Sequence, residues 1–210
     1  MWSGYQAYFP SFDTGFTVVS AKWVEPSITC PPPDNLPNPT VAFWVGLSGD
    51  GTVEQSGSFA FCVNGIPSHW SFWSMFPATG TALVFTIEAG DVIKSKVSYL
   101  ASSDRFVMLV KDLTSGQSFV QRGSCGAGLD CSRVSANWIA ENPSGPLPDW
   151  GTMRFYGCHA TSDLGTIGTI SGPGWSNLPI DLVDDSFNLR AHVSGLNATG
   201  TAFTDTWDAP

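Results

Sequence analysis

Basic residues are scarce in this chain: 9 Lys and Arg stand against 18 Asp and Glu in 210 residues, giving a formal net charge of −9 and a pI near 4.5. A surface of that sign repels phosphate and offers no basic patch from which counterions are released, so nucleic acid is not an expected partner. Charge of either sign is thin, at 13% of residues. When the carboxylates protonate in acid, positive charge is limited to those bases, 3 His and the amino terminus, and self-repulsion stays modest where many proteins unfold. The composition suits an acidic environment.

Other absences narrow the class further. No apolar run is long enough to span a bilayer, and Met1-Trp2 is not followed by a charged, apolar and small-residue leader pattern, so the chain reads as a mature or trimmed soluble domain with no membrane partner. No CxxC and no closely spaced His pair occurs, which argues against zinc; neither a metal nor a cofactor is expected. No GxSxG elbow occurs, so a serine triad has no support. Internal repeats, low-complexity tracts and composition shifts are missing too. With 42% hydrophobic residues, the sequence is expected to form one domain over residues 1–210.

Helical periodicity is nearly absent, while 22 Gly and 15 Pro punctuate short β-rich runs. Residues 17–24, 41–45, 82–87, 92–100, 105–110, 118–121 and 153–156 combine β-branched and aromatic side chains in the manner of strands. The fold class expected is all-β, an antiparallel β-sandwich of concanavalin A-like form. Two proline-rich loops interrupt it. Residues 29–39 carry prolines at 31, 32, 33, 37 and 39 and cannot pair as a central strand. Residues 142–149 carry Pro143, Pro146 and Pro148 immediately after Glu141, a stiff turn able to fix that carboxylate at a strand end.

Five cysteines, at 30, 62, 125, 131 and 158, allow two intramolecular disulfides and leave one thiol. Cys125 and Cys131 flank a glycine-containing loop that closes readily, which favours that bridge, with Cys30 to Cys62 as the second choice. Cys158 is equally readable as a buried small hydrophobe.

Two polar residues stand out in apolar, strand-like surroundings: Gln55 in WVGLSGDGTVEQSG and Glu141 in SANWIAENP. An amide and a carboxylate together can activate water and polarise a carbonyl, the chemistry of a hydrolase. The blocks around them resemble a known family in order and spacing: Trp2-Ser3-Gly4-Tyr5, Ala21-Lys22-Trp23-Val24-Glu25-Pro26, Trp44-Val45-Gly46 leading to Gln55-Ser56-Gly57, Glu88-Ala89-Gly90-Asp91, and Asn137-Trp138-Ile139-Ala140-Glu141. Together they are similar to the glutamic peptidases, or eqolisins, from residue 2 to about residue 160. The resemblance implies an acid-acting endopeptidase in which Glu141 is base and then acid, and Gln55 the oxyanion partner. Trp2, Trp44, Trp70 and Phe76 are implied as cleft residues. It also implies a protein or peptide substrate, a secreted monomer, and a signal and inhibitory propeptide already removed.

The sequence departs from that family around the dyad. Eqolisins usually carry Asp where this chain has Ser48, Glu where it has Ser74, and Tyr where it has Phe76. Fewer adjacent carboxylates mean less like-charge repulsion to raise the pKa of Glu141, and a lost hydroxyl removes a substrate contact.

Plainer readings stand beside these. An isolated Gln or Glu on a strand is ordinarily a solvated residue, and Trp2 and Trp44 taken alone read as core aromatics. Residues 70–76 fit a buried sheet face as well as a strand presenting Trp and Phe to a groove. His69, His159 and His192 read as structural or surface residues. Asp181, Asp184 and Asp185 read as solvated turns rather than a cation site, and Asp50 as a hairpin residue. Asn197-Ala198-Thr199 matches a glycosylation sequon. Two other activities fit a concanavalin-like sandwich: a glycoside hydrolase, although no closely spaced acids supply its carboxylate pair, or a non-catalytic carbohydrate- or peptide-binding module.

Overall fold

A computed structural model describes residues 2–11, 13–32 and 38–210. Among these, the regular elements are all strands, sixteen in chain order. The first eight are β1 (Trp2–Tyr8), β2 (Phe16–Val24), β3 (Thr40–Gly49), β4 (Thr52–Val63), β5 (Ile66–Phe76), β6 (Ala82–Ile87), β7 (Val92–Leu100) and β8 (Arg105–Asp112). They are followed by β9 (Ser118–Gly123), β10 (Ser135–Glu141), β11 (Thr152–Ser162), β12 (Ile167–Gly168), β13 (Ser176–Ile180), β14 (Leu182–Val183), β15 (Leu189–Val193) and β16 (Ala202–Trp207).

The strands form two antiparallel sheets, as expected for a sandwich. One runs β13-β1-β10-β3-β4-β5-β6; the other runs β14-β15-β16-β11-β2-β7-β8-β9, with β12 on β11. All seven predicted runs lie in strands, and β6 and β7 span residues 82–87 and 92–100 as read from sequence. The strands after residue 162 were not anticipated: they are two to six residues long, too short to establish a period.

Turn chemistry fixes the register of the first sheet. Asp50-Gly51 joins β3 to β4 and Asn64-Gly65 joins β4 to β5, and all four residues have positive φ. That is the two-residue hairpin turn whose twist matches the strands. The long β4–β5 pairing follows, from Val53 opposite Phe76 to Val63 opposite Ile66.

Because side chains alternate, each central strand serves two environments. Phe43, Val45, Leu47, Trp138 and Ala140 point into the core between the sheets, where they meet Trp23, Val97, Met108 and Phe155, all buried. Each such aliphatic or aromatic side chain contributes on the order of 1.5–3 kcal/mol through burial. Trp138 also donates its indole N–H to the Ser20 carbonyl of the other sheet at 3.0 Å. Ser56 and Ser95 bridge the same gap at 2.9 Å.

The proline loops are tied together. Thr29 N–H donates to Asp149 O at 2.7 Å and Thr40 N–H to Pro146 O at 3.1 Å, and Cys30 is bonded to Cys62 of β4. Pro33 and Pro37 lie outside the described residues. Cys125 is bonded to Cys131, and Cys158 is a buried free thiol.

Candidate active site

The outer face of the first sheet carries the residues singled out in the sequence. Across β1, β10, β3 and β4 the register aligns Trp2, Glu141, Ala42 and Phe59 in one row. A second row aligns Gln6, Asn137, Gly46, Gln55 and Ser74. Between them, Ile139, Trp44, Gly57 and Phe72 form a third. Ala42, Trp44, Val53, Phe72 and Ile139 pack as an apolar cluster separate from the main core, and this cluster is the floor. Small residues make room in it. A Cβ on Gly46 would lie 2.9 Å from Cζ3 of Trp44, and one on Gly57 would collide with Phe43 O at 1.9 Å.

Two cavities open above this floor. The larger, about 490 Å³, has Trp2, Val53, Val134 and Phe76 as apolar walls and Gln6, Ser48 and Ser135 as polar ones. The smaller, about 220 Å³, is bounded by Phe59, Phe72, Ser74, Phe76 and residues 79–81. Gln55 and Glu141 border both, with Phe76 as the third shared wall. The fold thus brings the two residues, 86 positions apart, to one cleft. Glu141 is the one carboxylate among the described residues lining either cavity.

Glu141 is partly buried, and its Oε2 accepts a 2.8 Å hydrogen bond from the Trp44 indole. Trp2 stands edge-on to Trp44, ring centroids 5.1 Å apart. Burial pushes the Glu141 carboxyl above its ordinary pKa, and the indoles of Trp2 and Trp44 offset part of the rise. The elevation survives the loss of neighbouring acids because it comes from desolvation, not carboxylate repulsion. Gln55 is 9% exposed, and its amide oxygen is buried without a hydrogen-bond partner. Ser48 sits in a closed network: Asn137 Nδ2 donates to its Oγ at 2.9 Å, and that Oγ lies 2.7 Å from Ser135 Oγ. Gln6 Nε2 donates to Asn137 Oδ1 at 3.1 Å.

Two of the expected cleft residues need correction. Trp44 is fully buried and borders neither cavity. Its place is beneath the cleft, where it fills the floor and holds Glu141. Trp70 lies on the cleft face opposite Phe59, with its indole on Ser68, beyond both cavities. Trp2 and Phe76 do line the cleft. Val53, Phe59, Phe72 and Asn137 were missed, although period-two counting reaches Val53 and Phe59 from Gln55, Asn137 from Glu141 and Phe72 from Phe76.

The other candidates fall elsewhere. His69 is buried against Glu25 at 2.9 Å in the core, His192 pairs with Asp208 at 2.7 Å, and His159 is exposed. Asp184 caps a turn through Ser186 and Asn188 amides, and Asp181 accepts from Val193 N–H. Among the described residues, no group of three or more His, Cys, Asp or Glu is arranged to hold a metal ion.

Residues 1–181 match the family described as the peptidase A4 family. The chain belongs to that family. In an alignment of 168 residues that covers 75% of the chain, this peptidase A4 member is 30% identical to aspergillopepsin-2 of Aspergillus niger, and it spans 57% of that relative. Among solved structures, scytalido-glutamic peptidase with a transition state analog inhibitor matches with a TM-score of 0.80 at 19% identity, covering 99% of this chain and 98% of that one. SCP-B, an eqolisin in complex with the tripeptide Ala-Ile-His, matches with a TM-score of 0.74 at 19% identity, covering 99% and 98%. Aspergilloglutamic peptidase of Aspergillus niger matches with a TM-score of 0.68 at 24% identity, covering 81% and 99%. At these identities the structural matches speak to the fold, which is the glutamic-peptidase sandwich. Within the peptidase A4 frame, Ser48, Ser74 and Phe76 all face the cleft, next to or opposite Gln55 and Val53.

Proposed function

We propose that the protein is an acid-acting glutamic endopeptidase, a single catalytic domain over residues 1–210 that works outside the cell as a monomer. The observation that carries the reading is the sharing of Gln55 and Glu141 between two cavities, so that an extended peptide crossing the cleft places its scissile bond over the pair and one side chain on either side. Ionised Glu141 takes a proton from water, whose oxygen attacks the peptide carbonyl carbon. The Gln55 amide N–H₂ donates to the resulting oxyanion. Glu141, now protonated, gives its proton to the departing nitrogen as the C–N bond breaks, and the products are a carboxylic acid and an amine.

The indole bond from Trp44 fixes the Glu141 carboxylate at the floor of the cleft. A pKa raised by burial moves the ascending limb of the pH profile above that of an ordinary glutamate, toward mild acid. Two disulfides support an oxidising, extracellular setting. A propeptide lying along the same cleft fits the chemistry of an inhibitor. The glycosidase alternative needs two carboxylates about 5–10 Å apart, and the cavities have Glu141 alone.

The test is cleavage of an unfolded protein across roughly pH 2–7 by the parent, Glu141→Gln and Gln55→Ala. Cleavage by the parent, abolished in the first variant and reduced roughly 10²- to 10³-fold in the second, is expected. Chelators should leave the rate unchanged. Full activity of folded Glu141→Gln would end the assignment, and tight peptide binding without product by the parent would favour a binding module.

A further inference from the structure

The amide oxygen of Gln55 is a buried acceptor with no donor. For an oxyanion partner that is a functional defect. A primary amide presents either N–H₂ or C=O to a substrate depending on a half-turn of its end group, and the wrong face repels the developing negative charge. A donor fixed on Oε1 selects the productive face.

The hydroxyls around the amide are not equally available. Ser48 is held between Asn137 and Ser135. Thr79 Oγ accepts from Met75 N–H at 2.9 Å, which ties it to the β5 turn. Ser74 lies directly opposite Gln55 in the β4–β5 register, is 4% exposed and lines the same smaller cavity. Its Oγ donates only a long 3.4 Å hydrogen bond to Thr79 O. Directly opposed residues hold their Cβ atoms about 4.5–5.5 Å apart, within reach of a serine hydroxyl and a glutamine end group.

We propose that Ser74 is a positioning residue for Gln55: its hydroxyl turns from the Thr79 carbonyl to Gln55 Oε1 and directs the amide N–H₂ at the carbonyl oxygen of the scissile bond. This rests on the dyad reading given above. A hydroxyl does not ionise in the working range, so the alignment holds at every pH at which Glu141 functions. A carboxyl in its place donates only while protonated.

The experiment measures kcat and KM as a function of pH for the parent, Ser74→Ala, Ser74→Thr and Ser74→Glu, and repeats Ser74→Ala in the Gln55→Ala background. Ser74→Ala should lower kcat about tenfold with KM little changed, short of the roughly 10²-fold or more lost with the oxyanion donor itself. Ser74→Thr should restore most of it, and Ser74→Glu should add a fall in activity as its carboxyl ionises. In the Gln55→Ala background the serine substitution should cost nothing further, because the two residues act as one unit. The proposal is overturned by a parent-like kcat in Ser74→Ala, by a loss confined to KM, or by the same loss with and without Gln55. A Gln55→Ala variant as active as the parent, or a folded parent that cleaves nothing, strikes the dyad reading beneath it and so takes this proposal too.

Discussion

Asp205 and Glu54 are carboxyls with no place for a charge, and removing them should change how stability responds to pH. Asp205 is 0% exposed and neither of its oxygens has a hydrogen-bond partner; Glu54 is 1% exposed with Oε2 unpartnered. Burial pushes Asp205 from an ordinary 3.8 to about 7, and Glu54 from 4.5 to about 7. One pKa unit is worth about 1.4 kcal/mol, so ionisation costs the folded state ~4 kcal/mol at Asp205 and ~3 kcal/mol at Glu54 relative to the unfolded chain. The sign follows from the upward direction. Below pH ~4 both states hold the protons and stability is intact; it drains away as pH rises and is gone once pH passes about 7. Against a total of about 5–15 kcal/mol, this is a large share.

For a chain of this size it corresponds to a fall in Tm on the order of 20 °C between pH 4 and pH 8. Thermal melts followed by circular dichroism across that range, on the parent and on Asp205→Asn/Glu54→Gln, make the measurement. The double variant should flatten the curve, gaining most at neutral pH and little at pH 4. An equal slope in both proteins would refute the reasoning.

Three further outcomes are expected. Trp44→Phe removes the 2.8 Å donor to Glu141, a bond that lowers the carboxyl pKa, so the ascending limb of kcat/KM should move to higher pH; an unmoved limb would show that the indole is only packing. Gly46→Ala puts a methyl 2.9 Å from a ring carbon of Trp44, and the displaced indole should cost about tenfold or more in kcat, measured beside a Tm that falls by a few degrees. Replacing Cys30 and Cys62 by serine opens a loop spanning 32 residues, and the urea midpoint should report a loss of about 3–4 kcal/mol, more than for the 6-residue span of Cys125 and Cys131.

Much of this was legible in the sequence because β structure writes itself locally. The Asp50-Gly51 pair names its own turn, and residues 92–100 and 105–110 alternate as strands with one face buried. Gln55 and Glu141 stood out by polarity against apolar neighbours. Trp44 was misplaced because an indole is equally at home in a wall and in a floor, and only the third dimension shows which side of Glu141 it takes. Trp70 shares the parity of Phe72 and Ser74 but sits too far along β5 to reach either cavity. The orphaned oxygen of Gln55 and the buried carboxyls of Glu54 and Asp205 were invisible for a related reason. Each depends on the absence of a partner, and a partner can come from anywhere in the chain.

The alternation within β3, β4 and β5 separates two kinds of inheritance. Even-numbered positions of β5 and odd-numbered positions of β4 face the cleft, while their neighbours in sequence hold the sheets together. Ser48, Ser74 and Phe76, the three departures noted around the dyad in the sequence, all belong to the cleft set. Mutational drift can therefore rewrite substrate preference one strand position at a time without reopening the packing problem, whereas a single-residue register slip would exchange Gln55 for Glu54 and forfeit both. A combinatorial library confined to one parity would explore new specificities on a scaffold that keeps folding.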